Sequence, residues 1–129
     1  MKLEIGMYAR YGIYGNNQIG KIKTISDNVI LVGFGNTGGS AITFRGLIKK
    51  ASFNIIDLIE VGDYVNGSEV LDFENKYIEE DDKFVPIGVV TENCYLENTD
   101  SWILEKDIKT IVTKEQFKSC EYEVGINEN

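Results

Sequence analysis

The chain is 129 residues long, 43% hydrophobic and 11% aromatic, which excludes a disordered polymer and allows one good core or two very small ones. It contains no His, which excludes Ser-His-Asp and Cys-His catalysis together with most zinc sites. The net charge of −8 is unevenly spread: residues 1–54 carry seven Lys/Arg against Glu4 and Asp27, a net of +5, whereas residues 55–129 carry six Lys against nineteen Asp/Glu, a net of −13.

Met1-Lys2-Leu3-Glu4 offers no apolar core for a signal peptide, and no apolar run approaches the roughly 20 residues that cross a bilayer. A cytoplasmic protein with no membrane partner is therefore expected. Residues 3–9 read as a first strand. Residues 10–18 are polar and aromatic, with Asn16-Asn17 as a turn signal, and read as a loop. Residues 19–25 alternate, Ile22 facing away from Lys21 and Lys23, as a half-buried strand does. A turn at 26–28 leads to an apolar strand at 29–32. The Gly-rich stretch 33–39 leads to a strand at 41–44, and Arg45-Gly46 turns the chain into 47–51.

In the second half the predicted strands are 56–65, 69–73, 84–90, 94–97 and 102–104. Asn66-Gly67 is the type I′ hairpin dipeptide, because both central positions need positive φ, and it predicts pairing of 60–65 with 68–73. Pro86 marks a strand start or edge. Thr113 and Gln116 have the spacing of a capping box, with Val112 and Phe117 as a hydrophobic staple, so a short helix is expected at about 114–120. A final strand at 121–124 and a frayed end at 125–129 complete the expectation. Trp102 reads as a core residue.

The chain also repeats itself. Ile5-Gly6-Met7-Tyr8 returns as Val61-Gly62-Asp63-Tyr64, and Leu47-Ile48-Lys49-Lys50 returns as Asp107-Ile108-Lys109-Thr110. The offsets, 56 and 60 residues, differ by a loop insertion placed at 79–82. The fold expected is mainly β: two tandem SH3-like small barrels, residues 1–54 (basic) and 55–129 (acidic), or one α+β domain, with a short C-terminal helix.

Four stretches invite chemistry. Gly33-Phe-Gly-Asn-Thr-Gly38 matches G-x-G-x-x-G, but the strand-like residues after it deny the helix N-terminus a dinucleotide needs, so it reads as a hairpin loop. Glu79, Glu80, Asp81 and Asp82 are consecutive and point apart, unlike the alternating ligands of a calcium loop; they read as a solvated acidic loop. Cys94 and Cys120 lack a cation cluster or C-x-x-C spacing and read as small buried hydrophobes. Tyr8, Arg10, Tyr11 and Tyr14 in the predicted loop, with Lys21, Lys23 and Arg45, could stack bases and attract phosphate; alternatively, Tyr8 and Tyr14 pack inside and the lysines are solvated. No metal, cofactor or catalytic residue is expected.

The segment 57–67, the segment 107–117, the opening Ile5-Gly6-Met7-Tyr8 and the ending Tyr122-Glu-Val-Gly125 together resemble small uncharacterised phage and prophage proteins of Gram-positive bacteria. The resemblance implies a mobile-element context and assigns no site residues. The expected role is a non-enzymatic binding protein engaging a host or phage protein through its acidic surface, by docking on a basic face or imitating nucleic-acid charge. The alternative is a nucleic-acid-binding module using the basic first half. An enzyme would have to rest on a carboxylate pair such as Asp63 and Glu69.

Overall fold

The computed structural model describes residues 2–13, 16–35, 38–96 and 102–119. Two antiparallel five-stranded sheets dominate it. The first contains β1 (Tyr8–Ile13), β2 (Asn16–Ser26), β3 (Val29–Phe34), β4 (Gly39–Phe44) and β5 (Ile48–Ser52), in the order β4-β3-β2-β1-β5. The second contains β6 (Tyr64–Val65), β7 (Ser68–Ile78), β8 (Lys83–Thr91), β9 (Ile103–Leu104) and β10 (Ile111–Val112), in the order β10-β6-β7-β8-β9. Of two short helices, α1 (Glu92–Leu96) lies against β7 and β8, whereas α2 (Lys114–Ser119), which follows β10, lies against β2 of the first sheet.

Read from β9 to β10, the second sheet has the strand order of the first, each strand replaced by the one five places later. The hydrogen bonds correspond as well. Gly6 N donates to Ile22 O and Ile22 N to Met7 O, at 2.9 and 2.8 Å; Gly62 N donates to Val70 O and Val70 N to Asp63 O, at 2.9 and 2.7 Å. Gly6 and Gly62 have φ of +96° and +98°, a conformation that a Cβ opposes, which is why glycine stands at the same place in both signatures. Each closing phrase follows a 3-10 turn, 45–47 and 105–107, in which Ile48 N bonds Arg45 O and Ile108 N bonds Glu105 O.

The loop bookkeeping is less simple than one insertion. The offset falls from 56 at Gly6/Gly62 to 48 at Ile22/Val70, then rises to 59 at Val32/Thr91 and 60 at Ile48/Ile108. The β6–β7 hairpin is therefore eight residues shorter than its β1–β2 counterpart, and the β7–β8 hairpin is eleven residues longer than β2–β3. The acidic stretch 79–82 caps that longer hairpin.

Each sheet packs on its own core. Leu3, Ala9, Tyr11, Ile22, Ile30, Val32 and Ile48 form one cluster; Ile56, Ile59, Val65, Val70 and Val89 form the other. Burial of each Leu, Ile or Val side chain among them contributes about 2 kcal/mol.

Several local expectations change. Within the predicted loop 10–18, residues 10–13 and 16–18 are strand: β1 runs to Ile13 and β2 begins at Asn16, with Tyr11 opposite Gln18 and Gly12 opposite Asn17. Their polar character misleads because Arg10, Tyr11 and Asn17 are buried by the rest of the fold. Residues 56–65 form a 3-10 turn, Ile55–Leu58, and only the two-residue β6, since periodicity cannot separate a short buried strand from another buried segment. At 94–97 the chain is helical up to Leu96, in α1, with Asn93 N donating to Ser68 Oγ at 3.0 Å; residue 97 lies outside the described residues. Trp102 is 37% exposed and lies across Gly88 rather than inside a core. The predicted strand 121–124 and the end 125–129 also lie outside the described residues.

Other expectations hold. Asn66 and Gly67 have φ of 51° and 83° and form a two-residue turn between β6 and β7. Thr113 N donates to Gln116 Oε1 and Gln116 N to Thr113 Oγ1, both at 3.1 Å, which is the reciprocal capping box at the start of α2. Phe117 of that helix stacks on Tyr64, ring centroids 4.1 Å apart. Pro86 sits in β8 where a bulge at Glu74/Asn75 interrupts the ladder and β9 does not reach.

Candidate functional site

Alternation along β1 places Ala9 and Tyr11 in the first core and turns Tyr8 and Arg10 to the opposite face. An arginine there would ordinarily reach water. Instead Leu58, Asp63 and Glu115 from the second half of the chain cover it, and Arg10 is fully buried. Its Nη1 donates to Asp63 Oδ2 at 2.5 Å and to Leu58 O at 3.0 Å; its Nη2 donates to Asp63 Oδ1 at 3.0 Å and to Glu115 Oε2 at 2.9 Å. Nε finds no hydrogen bond and has only Glu60 Oε2, 3.5 Å away, as Coulombic company. Burial by itself would lower the guanidinium pKa, but the hydrogen bond to Asp63 and the charges of Asp63, Glu60 and Glu115 outweigh it and raise it.

The carboxylates are equally occupied. Asp63 also accepts from Glu60 N at 2.7 Å and Lys114 N at 2.9 Å, so both its oxygens are saturated. Glu60 meets Lys114 Nζ at 2.9 Å and Lys50 Nζ at 3.4 Å. Asn17 Nδ2 donates to Glu115 Oε1 at 3.1 Å, and Thr113 Oγ1 donates to Asn17 O at 2.5 Å. Three cations and three anions balance in this cluster. It pins β1, β2, the segment before β6 and the start of α2 to one another, and it leaves the buried Asn17 Oδ1 without a hydrogen-bond partner among the described residues. Among the described residues, no group of three or more His, Cys, Asp or Glu is placed to hold a metal ion.

Beside this junction lies an open cleft of about 850 Å³ between the two units. Its first wall carries Tyr8, Lys21, Lys23 and Phe34; its second carries Ile108, Lys109 and Ile111. Among the described residues no carboxylate lines it. The Lys21 ammonium stands 5.6 Å from the Tyr8 ring centroid, within cation–π range. Lys23 lies along Gly33, where a Cβ would collide with its Cε, so the glycine lets the lysine stem cross β3 toward the cleft.

The acidic residues are elsewhere. β7 and β8 pair from Val70/Thr91 out to Ile78/Lys83, yet β6 pairs only with Ser68 and Glu69, and β9 only with Gly88 and Val89. The outer part of the hairpin is thus a two-stranded ribbon. Glu79, Glu80, Asp81 and Asp82 form its exposed tip, and Asp82 has φ of 48°. Behind the tip, Tyr77 and Phe84 face each other across the strands at 5.2 Å, 45% and 70% exposed. The Tyr77 hydroxyl donates to Asp82 Oδ1, and that bond, with some desolvation, raises the Tyr77 pKa.

The residues singled out from the sequence therefore scatter. Tyr8, Lys21 and Lys23 share the cleft. Arg10 is the buried hub, and Tyr11 is a core residue whose hydroxyl has no hydrogen-bond partner among the described residues; burial pushes its pKa up to about 12. Arg45 is exposed and bonds Asp27 O at 3.1 Å. Tyr14 and Cys120 lie outside the described residues, and Cys94 is half-buried with its Sγ 3.5 Å from Thr91 Oγ1. The sequence reading missed Phe34 and Lys109, Tyr77 and Phe84, and the roles of Glu60, Asp63 and Glu115. One signal for Asp63 was present: an acid replaces Met7 inside an otherwise apolar repeated signature.

No family model, curated protein or solved structure matches the chain. Among the described residues no helix is long and apolar enough to cross a membrane.

Proposed function

We propose that the chain is a non-enzymatic binding protein of phage or prophage origin, built of two SH3-like units, that captures a host or phage protein with the β7–β8 ribbon. The observation that carries this reading is the ribbon itself: a two-stranded extension with four carboxylates at its tip and an exposed Tyr77–Phe84 pair behind them. Two strands without a third neighbour are marginally stable in water, and a 70% exposed Phe84 adds apolar surface that a partner would cover. The matching partner surface is a basic groove with an apolar floor. The SH3-like description of the units is supported by their common strand order and 3-10 turns.

The test is capture of partner from host lysate by the intact protein beside two variants: Glu79→Gln/Glu80→Gln/Asp81→Asn/Asp82→Asn, and Phe84→Ala. Loss of the same captured protein in both variants supports the reading. Unchanged capture in both overturns it.

A second reading, nucleic-acid binding through the basic half, is favoured by the cleft alone. With Arg10 and Tyr11 buried and Arg45 exposed outside the cleft, its means within the cleft are Tyr8, Lys21 and Lys23, now joined by Phe34 and Lys109. A mobility shift with single-stranded oligonucleotide at low salt checks it, since such binding weakens steeply as salt rises.

A further inference from the structure

The charge separation in this molecule is spatial as well as sequential. Among the described residues the cleft is lined by three lysines, two aromatic rings and isoleucines, with no carboxylate. The ribbon over 68–91 carries seven carboxylates against Lys76 and Lys83, and its tip offers four consecutive acids followed by an aromatic pair. No ribbon residue lines the cleft, so within one copy the two surfaces do not meet. Each surface is the complement of the other in both charge and apolar character.

We propose that the ribbon tip of one copy seats in the lysine-lined cleft of a second copy, so that the protein self-associates through its own opposite charges. The inference rests on the reading of the ribbon as a docking element and names one occupant for the groove that such an element fits. Seated this way, Glu79, Glu80, Asp81 and Asp82 meet Lys21, Lys23 and Lys109. Phe84 and Tyr77 cover Tyr8, Phe34 and the isoleucine wall, removing the most exposed aromatic of the described residues from water. Contact of this kind joins two different patches, so it closes into a dimer only if each copy inserts its ribbon into the other, and otherwise closes into a larger ring or extends as a chain. The asymmetry of +5 and −13 then has a physical use: like faces repel and unlike faces attract, which sets the register of association.

Sedimentation of the full chain tests the proposal. The expected result is a species heavier than 14.5 kDa at low salt, with a Kd on the order of 10 μM, dissociating as salt rises and the screening length falls from about 10 Å at 0.1 M to about 3 Å at 1 M. Lys21→Glu/Lys23→Glu/Lys109→Glu and Glu79→Lys/Glu80→Lys/Asp81→Lys/Asp82→Lys should each weaken self-association about tenfold or more, and mixing the two variants should restore a complex. Restoration on mixing also shows that both variants are folded. A wild-type chain that remains monomeric at every salt concentration overturns the proposal, as does an oligonucleotide that binds the monomer's cleft while self-association is absent. Partner capture lost with the ribbon variants in a monomeric protein would sink this inference and leave the functional reading standing.

Discussion

Arg10 Nη1 lies 2.5 Å from Asp63 Oδ2, joining residues 53 apart in sequence, one in β1 of the first sheet and one just before β6 of the second, through a fully buried pair. A buried ion pair adds little over an apolar replacement, but removing one partner leaves the other charge unpaired in a medium that does not solvate it.

Arg10→Met should therefore cost about 3–5 kcal/mol, because Asp63, Glu60 and Glu115 are then left together without their shared cation. Asp63→Leu alone should cost a similar amount, whereas the double variant should recover a large part of the loss. Urea denaturation followed by intrinsic fluorescence and by far-UV circular dichroism checks this. In the single variants the two probes should separate as the units uncouple. A loss under about 1 kcal/mol for Arg10→Met would refute the role given to the pair.

Acid should act on the same cluster. Burial pushes the Glu60 pKa up, but its bond to Lys114 and the charges of Arg10, Lys50 and Lys114 leave it lowered. Glu115 is lowered likewise, against burial, by Asn17, by its own backbone amide and by Arg10 and Lys114. A carboxylate with a lowered folded pKa contributes stability that is complete above its ordinary value of 4.5 and lost as pH falls through the folded value. Melting temperature should thus decline below about pH 4.5, and Glu115→Gln should shrink the decline.

Alkali should act on Tyr11. Burial raises its pKa to about 12, so the stability it contributes is intact below its ordinary value of 10.0 and falls as pH rises toward 12. Tyr11→Phe removes a buried hydroxyl that has no hydrogen-bond partner among the described residues. The variant should be as stable as the parent at pH 7, or more stable by up to about 1 kcal/mol, and should lose less stability between pH 10 and 12. Thermal melts across that range decide it; a Phe variant weaker at neutral pH would contradict the assignment.

Asn66 has two duties that substitution can separate. Its backbone takes φ of 51° in the hairpin turn, while its side chain accepts from Lys109 N and Thr110 N at 2.7 and 3.1 Å and donates to Asp107 O at 3.0 Å. Asn66→Gly keeps the turn and should cost about 1–2 kcal/mol through the lost hydrogen bonds. Asn66→Ala loses both and should cost about 1 kcal/mol more. Equal losses by chemical denaturation would show that the left-handed turn contributes nothing.

Much of this architecture is legible locally. The alternation of 19–25, the Asn66-Gly67 turn and the Thr113–Gln116 capping box each depend on a few consecutive residues, and each forms as the spacing predicts. The errors share one cause. Residues 10–18 read as a polar loop, and 56–65 as a long strand, because their environment is set by the other half of the molecule. Arg10 and Tyr11 are neighbours in sequence, yet one is buried by the second unit and the other by its own core.

The sequence by itself determined that the chain is mainly β, that a signature recurs with glycine at one place in each copy, and that charge divides between the halves. Those properties follow from short-range sterics, from the two-residue period of strands and from simple counting. Only the tertiary structure decided what the charges do. It folded Arg10 against Asp63, gathered Lys21, Lys23 and Lys109 from two separate units into one cleft, and carried Glu79–Asp82 away on a ribbon. Coulomb forces depend on distance in space, and the distances that matter here join residues far apart along the chain.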